Sequence, residues 1–357
     1  MADQAVLPSP KRILVMRLDR LGDVVLSTPL LHALRQEYPH AFIAMMVRAA
    51  CQDVIEGHPC LNEVIVYDKE KAQRGAFATF QFARKLRSYA FDTVLVLHPS
   101  NRSHWIAFLS GIPNRVGFNR KSGWLLTRRL PHEKQEGKKH EAAYTLEMLE
   151  AFGIKPALTQ PQIAVSPRAA RQVDLLLEKE GLTQQRLVAI HPSASCVSKR
   201  WMPDRFAQVA QRLIESHNAR ICLIAGPEDL PYATAMAAAM RQPVLNLAGR
   251  LTVAELAALL KRSAVLISND SGPVHVAAAV GTPVVDIFGR NQSGLSPLRW
   301  GPLGKGHIVL HKEVGCVTCL AHNCDIGFLC LTTLSVDEVF EAAKTILDRP
   351  SKAFSAV

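Results

Sequence analysis

Between Ser268 and Gly289 the chain reads Ser-Asn-Asp-Ser-Gly-Pro-Val-His-Val-Ala-Ala-Ala-Val-Gly-Thr-Pro-Val-Val-Asp-Ile-Phe-Gly. The apolar run Val265-Leu266-Ile267 stops at four small polar residues, Asn269, Asp270, Ser271 and Gly272, and Ala277, Ala278 and Ala279 follow in a helix-forming stretch. This spacing predicts strand, tight turn, helix, turn, strand. The first N–H groups of a helix lack intrahelical acceptors, and the helix dipole adds positive potential there. Such a turn suits a diphosphate. Gly272 would let a ligand approach the backbone, and Pro273 fits the first turn, where its missing N–H costs nothing. A plain capped βα turn of a parallel sheet has the same pattern, so this turn alone leaves both readings open.

Other turns carry groups of the same kind. Arg17-Leu18-Asp19-Arg20-Leu21-Gly22-Asp23-Val24-Val25 follows the first apolar run and lacks the Gly-x-Gly-x-x-Gly spacing of a dinucleotide site, which argues against an oxidoreductase. Asp23 falls at a helix start, where a carboxylate is ordinarily a cap. The alternative is a general base. After a second-half strand come His191-Pro192-Ser193-Ala194-Ser195 and Ser198-Lys199-Arg200-Trp201-Met202-Pro203. Ser193 and Ser195 could donate to phosphate oxygens, and Lys199 could supply a compact cation. A basic surface loop ahead of a helix reads the same way. In Ala225-Gly226-Pro227-Glu228-Asp229 a carboxylate could take two ribose hydroxyls or be a helix-start charge. His275, four residues beyond Ser271, could face the same ligand or be a core histidine bonded to backbone.

These turns need a scaffold. The 357 residues are 48% hydrophobic and 20% charged, which describes a globular chain long enough for two domains. Apolar runs predict strands at 12–18, 42–47, 63–67, 93–98 and 115–118, with helices at 24–38, 76–88, 101–109 and 140–152. Residues 153–167, with Pro156, Pro161 and Pro167, read as a linker. Strands follow at 187–191, 220–225, 244–247, 265–268 and 284–288. Helices follow at 203–216, 231–240, 253–263 and 272–280, and a last helix spans 335–347. The alternation predicts an α/β fold of two Rossmann-like, doubly wound parallel-sheet domains, 1–165 and 166–357, facing a central cleft.

The net charge is +11, which favours an anionic partner. Between Gly111 and His140 there are eight Lys or Arg and two Glu. That run is either a solvated loop or an anion- or membrane-facing surface. No nucleic acid is expected, because no helix-turn-helix, zinc-finger or RNA-binding signature is present. No run of about 18 apolar residues exists, and the N-terminus lacks a signal-peptide core, so a cytoplasmic location is expected.

Three motifs taken in order, Leu21-Gly22-Asp23-Val24, Lys199-Arg200-Trp201-x-Pro203 and the segment from Asn269 to Pro283, resemble the bacterial lipopolysaccharide heptosyltransferases of glycosyltransferase family 9. The resemblance runs from Lys11 to about Leu347. It implies a GT-B fold and an inverting transfer with no cofactor or essential metal. The implied donor is ADP-heptose, and the implied acceptor is the anionic, lipid-linked inner core of lipopolysaccharide. Residues 1–165 would bind the acceptor and 166–357 the nucleotide sugar. Asp23 would be the base and Lys199 the contact to the donor diphosphate. Asp270, Ser271 and Gly272 would form the donor turn, with Ser193 on phosphate, Glu228 on ribose and His275 facing the same ligand. Gly22, Arg120 and Lys121 would lie on the acceptor side. Peripheral contact with the cytoplasmic face of the inner membrane is expected. One departure is His-Pro-Ser-Ala at 191–194, where the family commonly has His-Pro-Gly-Ala. Two rival readings remain: a nucleotide-sugar epimerase or hydrolase, and a non-catalytic anionic-glycan-binding protein.

Eight cysteines complete the inventory. Cys51, Cys60, Cys196 and Cys222 read as ordinary buried thiols. Cys316, Cys319, Cys324 and Cys330 cluster near His311 and His322, and four thiolates could hold a metal. Their spacing lacks paired Cys-x-x-Cys repeats, so structural thiols or a reversible disulfide are expected instead. Some members of the resembled family carry a similar segment without needing a metal for transfer.

Overall fold

The protein is described by a computed structural model covering residues 6–316 and 318–349. It divides into two compact units, with the boundary between Ala164 and Val165. In the first unit the strands are β1 (Arg12–Arg17), β2 (Phe42–Arg48), β3 (Glu63–Tyr67), β4 (Thr93–Val96), β5 (Asn114–Phe118) and β6 (Arg128–Leu130), in the spatial order β3-β2-β1-β4-β5-β6. In the second they are β7 (Leu187–His191), β8 (Arg220–Leu223), β9 (Leu245–Asn246), β10 (Val265–Asn269), β11 (Val284–Ile287) and β12 (Ile308–Leu310), in the order β12-β11-β10-β7-β8-β9.

Every pairing is parallel. Helices cover both faces of such sheets, so the central strands read as unbroken apolar runs. β4, β7 and β10 are buried along their whole length. In each sheet the strand order reverses once, between β1 and β4 and between β7 and β10. Connections leave those neighbouring strands in opposite directions, which opens a crevice at their carboxyl ends where ligands bind. The turns singled out in the sequence after β1, β7 and β10 all lie at these two reversals.

The differences from expectation have local causes. The helix expected over 24–38 is two helices, Leu21–Val25 and Thr28–Glu37. Pro29 lies in the first turn of the second and has no N–H to continue the first, while Ser27 Oγ donates to Asp23 O at 2.8 Å. The expected linker ends earlier: Pro167–Lys179 is a helix capped by Ser166 Oγ. β6 and β12 have three residues each, too few to show a period in the sequence.

The core of the second unit includes Trp201, which is fully buried. Its ring meets Phe206 edge-on with centroids 5.0 Å apart, and its Nε1 donates to Leu334 O at 3.1 Å. Its backbone N–H donates to Asn269 Oδ1 at 2.9 Å, so the segment carrying Lys199 is pinned to the end of β10. Truncating a buried aromatic of this size costs about 3–5 kcal/mol. Trp201→Ala is expected to lose about that much stability in urea denaturation; a loss below about 1 kcal/mol would show that the site collapses without it.

Candidate functional site

In the first unit the site grows from Arg17, the last residue of β1, which is buried. Its Nη2 donates to Asp23 Oδ1 at 2.6 Å and to Glu141 Oε1 at 3.2 Å. Its Nε lies 2.8 Å from Asp19 Oδ1 as an ion pair without hydrogen-bond alignment. Lys134 Nζ, also buried, donates to the same Glu141 oxygen at 2.7 Å. His98 stands just beyond β4, and its Nδ1 is 3.1 Å from Asp19 Oδ2. The imidazole is 40% exposed.

Three carboxylates therefore meet two fixed cations, leaving one negative charge in excess. That excess falls unevenly. Burial raises the proton affinity of Asp19, but Arg17 and then His98 outweigh it and hold Asp19 below the usual carboxylate range. Asp23 moves the other way: burial first and Asp19 second push it up, against Arg17. A carboxylate with raised proton affinity is the better proton acceptor of the pair. Arg17 is held charged, because its carboxylates outweigh the cost of burying it. Asp23 also does the work of a cap, since its Oδ2 accepts from Arg20 N at 3.3 Å. Gly22 is buried beside it, whereas Arg120 and Lys121 are exposed after β5 and take no part in this ion cluster.

In the second unit Lys199 Nζ reaches Asp270 Oδ2 at 2.6 Å and Asp270 O at 3.4 Å. Arg290 Nη2 lies 3.5 Å from the same Oδ2. Asp286, on β11, is fully buried, and neither carboxyl oxygen has a hydrogen-bond partner among the described residues. Burial, then the charge of Asp270, raise it well above the carboxylate range against the pull of Lys199. Lys199 and Arg290 thus both reach the one carboxylate of Asp270, so two cations meet at this turn, where the first unit gathers three carboxylates.

His191 ties the phosphate-competent turns together. Its Nε2 is 3.0 Å from Ser193 Oγ, and its Nδ1 is 3.1 Å from Ser271 Oγ. Burial pushes the imidazole down to about 4, so it is neutral at ordinary pH. Asn269 adds a second tie: Nδ2 donates to Pro192 O at 2.9 Å while Oδ1 accepts from Trp201 N. Ser271 precedes the helix Gly272–Ala279, and its hydroxyl makes no cap bond. Its hydroxyl bonds Ser268 and His191 instead. His275 is buried in that helix. Glu228 is exposed in the turn Pro227–Asp229 after β8 and makes no side-chain bond among the described residues.

The structure thus joins Lys199 to Asp270, and Ser193 to Ser271 through His191. It adds Arg17, Asp19, His98, Lys134, Glu141, His191, Asn269, Asp286 and Arg290, to which sequence reasoning assigned no role. Arg17 carried the one available signal, a charge abutting an apolar strand, which calls for a buried partner.

The cysteine segment packs on the lysine loop. Cys330 Sγ donates to Gly289 O at 2.8 Å, and Ser198 Oγ is 3.3 Å from His322 Nδ1. A Cβ on Gly289 would collide with Ser198 O and Leu331, so a close approach that only glycine allows occurs here. Burial, with smaller contributions from Cys319, Cys324 and Cys316, pushes the Cys330 thiol up to about 11. All four thiols are free, and among the described residues no group of three or more His, Cys, Asp or Glu is arranged to hold a metal ion. Cys196 is only partly buried, contrary to expectation, because its turn reaches the surface at Ser195 and Val197 on either side of it.

The model of glycosyltransferase family 9 (heptosyltransferase) matches residues 79–329. Lipopolysaccharide heptosyltransferase 3 of Escherichia coli K12 is 27% identical over 345 residues, covering 92% of this chain and 97% of that protein. The solved family 9 glycosyltransferase of Veillonella parvula superposes with a TM-score of 0.84 at 26% identity, covering 97% of this chain and 99% of that one. ADP-heptose lipopolysaccharide heptosyltransferase II of E. coli superposes with a TM-score of 0.77 at 24% identity, over 94% and 98%. These likenesses, with two Rossmann-like sheets, give the GT-B fold class. They favour glycosyl transfer over an epimerase, a hydrolase or a non-catalytic glycan binder. With its family model matched over most of its length and both strand-order reversals lined by ionisable groups, the chain belongs to glycosyltransferase family 9, the heptosyltransferases.

Proposed function

We propose that this enzyme moves heptose from ADP-heptose to the inner core of lipopolysaccharide, inverting the anomeric centre and using no metal in the step. The observation that carries the reading is the contrast between the two units, three carboxylates gathered around Arg17 in the first and two cations, Lys199 and Arg290, meeting on Asp270 in the second. The first unit supplies the base. Asp23 takes the proton from an acceptor hydroxyl as that oxygen attacks the anomeric carbon, and Arg17 keeps the carboxylate oriented. The second unit receives the leaving group. As the bond to ADP breaks, its diphosphate gains negative charge, which Lys199, Arg290 and the amides of the turn at Ser271–Gly272 stabilise more than the ground state. Ser271 donates to phosphate oxygens, Ser193, buried with its hydroxyl on His191, holds that imidazole against the turn, and Glu228 takes the ribose hydroxyls. Gly22, Arg120 and Lys121 face the acceptor, whose phosphates match the two exposed cations. His275 supports the donor turn from inside its helix.

No helix among the described residues is long and apolar enough to cross a membrane. The acceptor is lipid-linked, so we place the enzyme as a peripheral protein on the cytoplasmic face of the inner membrane.

Asp23→Asn is expected to lower kcat about 10²–10⁴-fold while ADP affinity stays within about twofold; full activity would remove Asp23 as base. The base must be unprotonated, so kcat/KM should fall as the medium is acidified. Its inflection should lie above the roughly 3.9 of an unperturbed aspartate. Lys199→Met is expected to weaken ADP about 10- to 100-fold in calorimetry, the range for one charge-assisted bond. Side-by-side titration with ADP, UDP and GDP tests the donor: preference for UDP would overturn the donor assignment and leave the fold untouched.

A further inference from the structure

The helix Asn101–Leu109 is apolar on two faces. Ile106 and Ala107 are buried against the sheet side, while Trp105 and Phe108, 40% and 43% exposed, point away from it. A second apolar face on a helix is normally covered, yet Trp105 and Phe108 stay exposed on this one. The turn Gly123–Leu125 lies against it and adds Trp124, which is 64% exposed. Trp105 meets Phe108 and Trp124 edge-on, with centroids 6.1 and 5.9 Å apart. Asn101 Oδ1 holds the turn in place by accepting from Ser122 N at 3.2 Å and Ser122 Oγ at 3.0 Å. The three rings are therefore one anchored patch.

The charge along this stretch of chain is of one sign. From Thr93 to His132 the chain has no Asp or Glu and six Arg or Lys: Arg102, Arg115, Arg120, Lys121, Arg128 and Arg129. The Arg115 guanidinium sits 5.6 Å from the centre of the Phe108 ring. Arg102, Arg120 and Lys121 are exposed and form no ion pair among the described residues. Tryptophans within a cationic border match the chemistry of a bilayer interface, where indoles lie at headgroup depth and basic side chains meet anionic lipid. Single-stranded nucleic acid fits less well, because edge-to-face packing turns these rings against one another and not outward as stacking platforms.

We propose that Trp105, Phe108 and Trp124, with the neighbouring cations, form the surface by which this enzyme docks on an anionic bilayer. The proposal rests on the peripheral, lipid-linked reading above and adds the surface that performs it. Flotation of the full chain with phosphatidylcholine vesicles, and with vesicles about one third phosphatidylglycerol, tests it. Binding to the anionic vesicles only is expected, weakening as salt rises, and brominated acyl chains should quench tryptophan emission. A W105S/W124S double variant should bind at least about tenfold more weakly. Its transfer to a water-soluble core oligosaccharide should match the wild type, which also shows that it is folded. W124F should retain most of the binding.

Equal binding to neutral vesicles, equal binding by the double variant, or no vesicle binding by the wild type would each overturn the proposal. Concentration-dependent dimers abolished by W105S/W124S, without vesicle binding, would reassign the patch to a second copy of the chain. Transfer to the soluble acceptor reports the enzymatic reading separately, so the surface can fail while that reading stands.

Discussion

A guanidinium buried at the end of a central strand has to be matched by carboxylates, because an unpaired buried charge is among the costliest groups a fold can hold. Arg17 sets that condition for the first unit. Its partners come from three places: Asp19 just past the strand, Asp23 in the first helix, and Glu141 at the start of a helix far along the chain. Meeting the condition assembles the site. Removing one partner of such a pair typically costs about 3–5 kcal/mol, since the remainder is left buried and uncompensated. Asp23, the proposed base, is thus embedded in an interaction that the fold itself needs.

The second unit gathers cations instead. Asp270 is shared by Lys199 and Arg290, and burial raises the proton affinity of the second acid, Asp286. A polar environment with fixed charges lowers a barrier without having to reorganise during the reaction. Both ion clusters stand where strand order reverses, so the topology supplies the crevices and the buried charges give each its polarity.

Hydrogen bonds and close packing, besides the Lys199–Asp270 ion pair, join the loops of the second site. Asn269 bridges the turn after β7 and the segment after Lys199. Gly289 admits Ser198 O at a distance no side chain would tolerate, and the cysteine segment closes over the same loop. Two of the four thiols make hydrogen bonds there, Cys330 Sγ donating to Gly289 O and Cys324 Sγ accepting from Phe328 N.

Much of the scaffold was readable in the chain, because strand and helix signals are local. The buried strands β1, β4, β7 and β10 announce themselves as unbroken apolar runs, and the turn at Asn269–Gly272 as a break between two of them. The three-residue edge strands carry too little pattern to be seen. The site was half legible. Asp23, Lys199, Asp270 and Ser271 stand out by position, but their partners lie 124 residues away for Arg17 and Glu141, 71 for Lys199 and Asp270, and 80 for His191 and Ser271.

The amino-acid order by itself determined which segments form strands and which turns carry chemical groups, since those depend on neighbours along the chain. Only the tertiary structure decided which of two aspartates four positions apart gives up its proton readily and which holds it. Asp19 and Asp23 are the same side chain, and their difference comes from burial and from the charges that folding places against them.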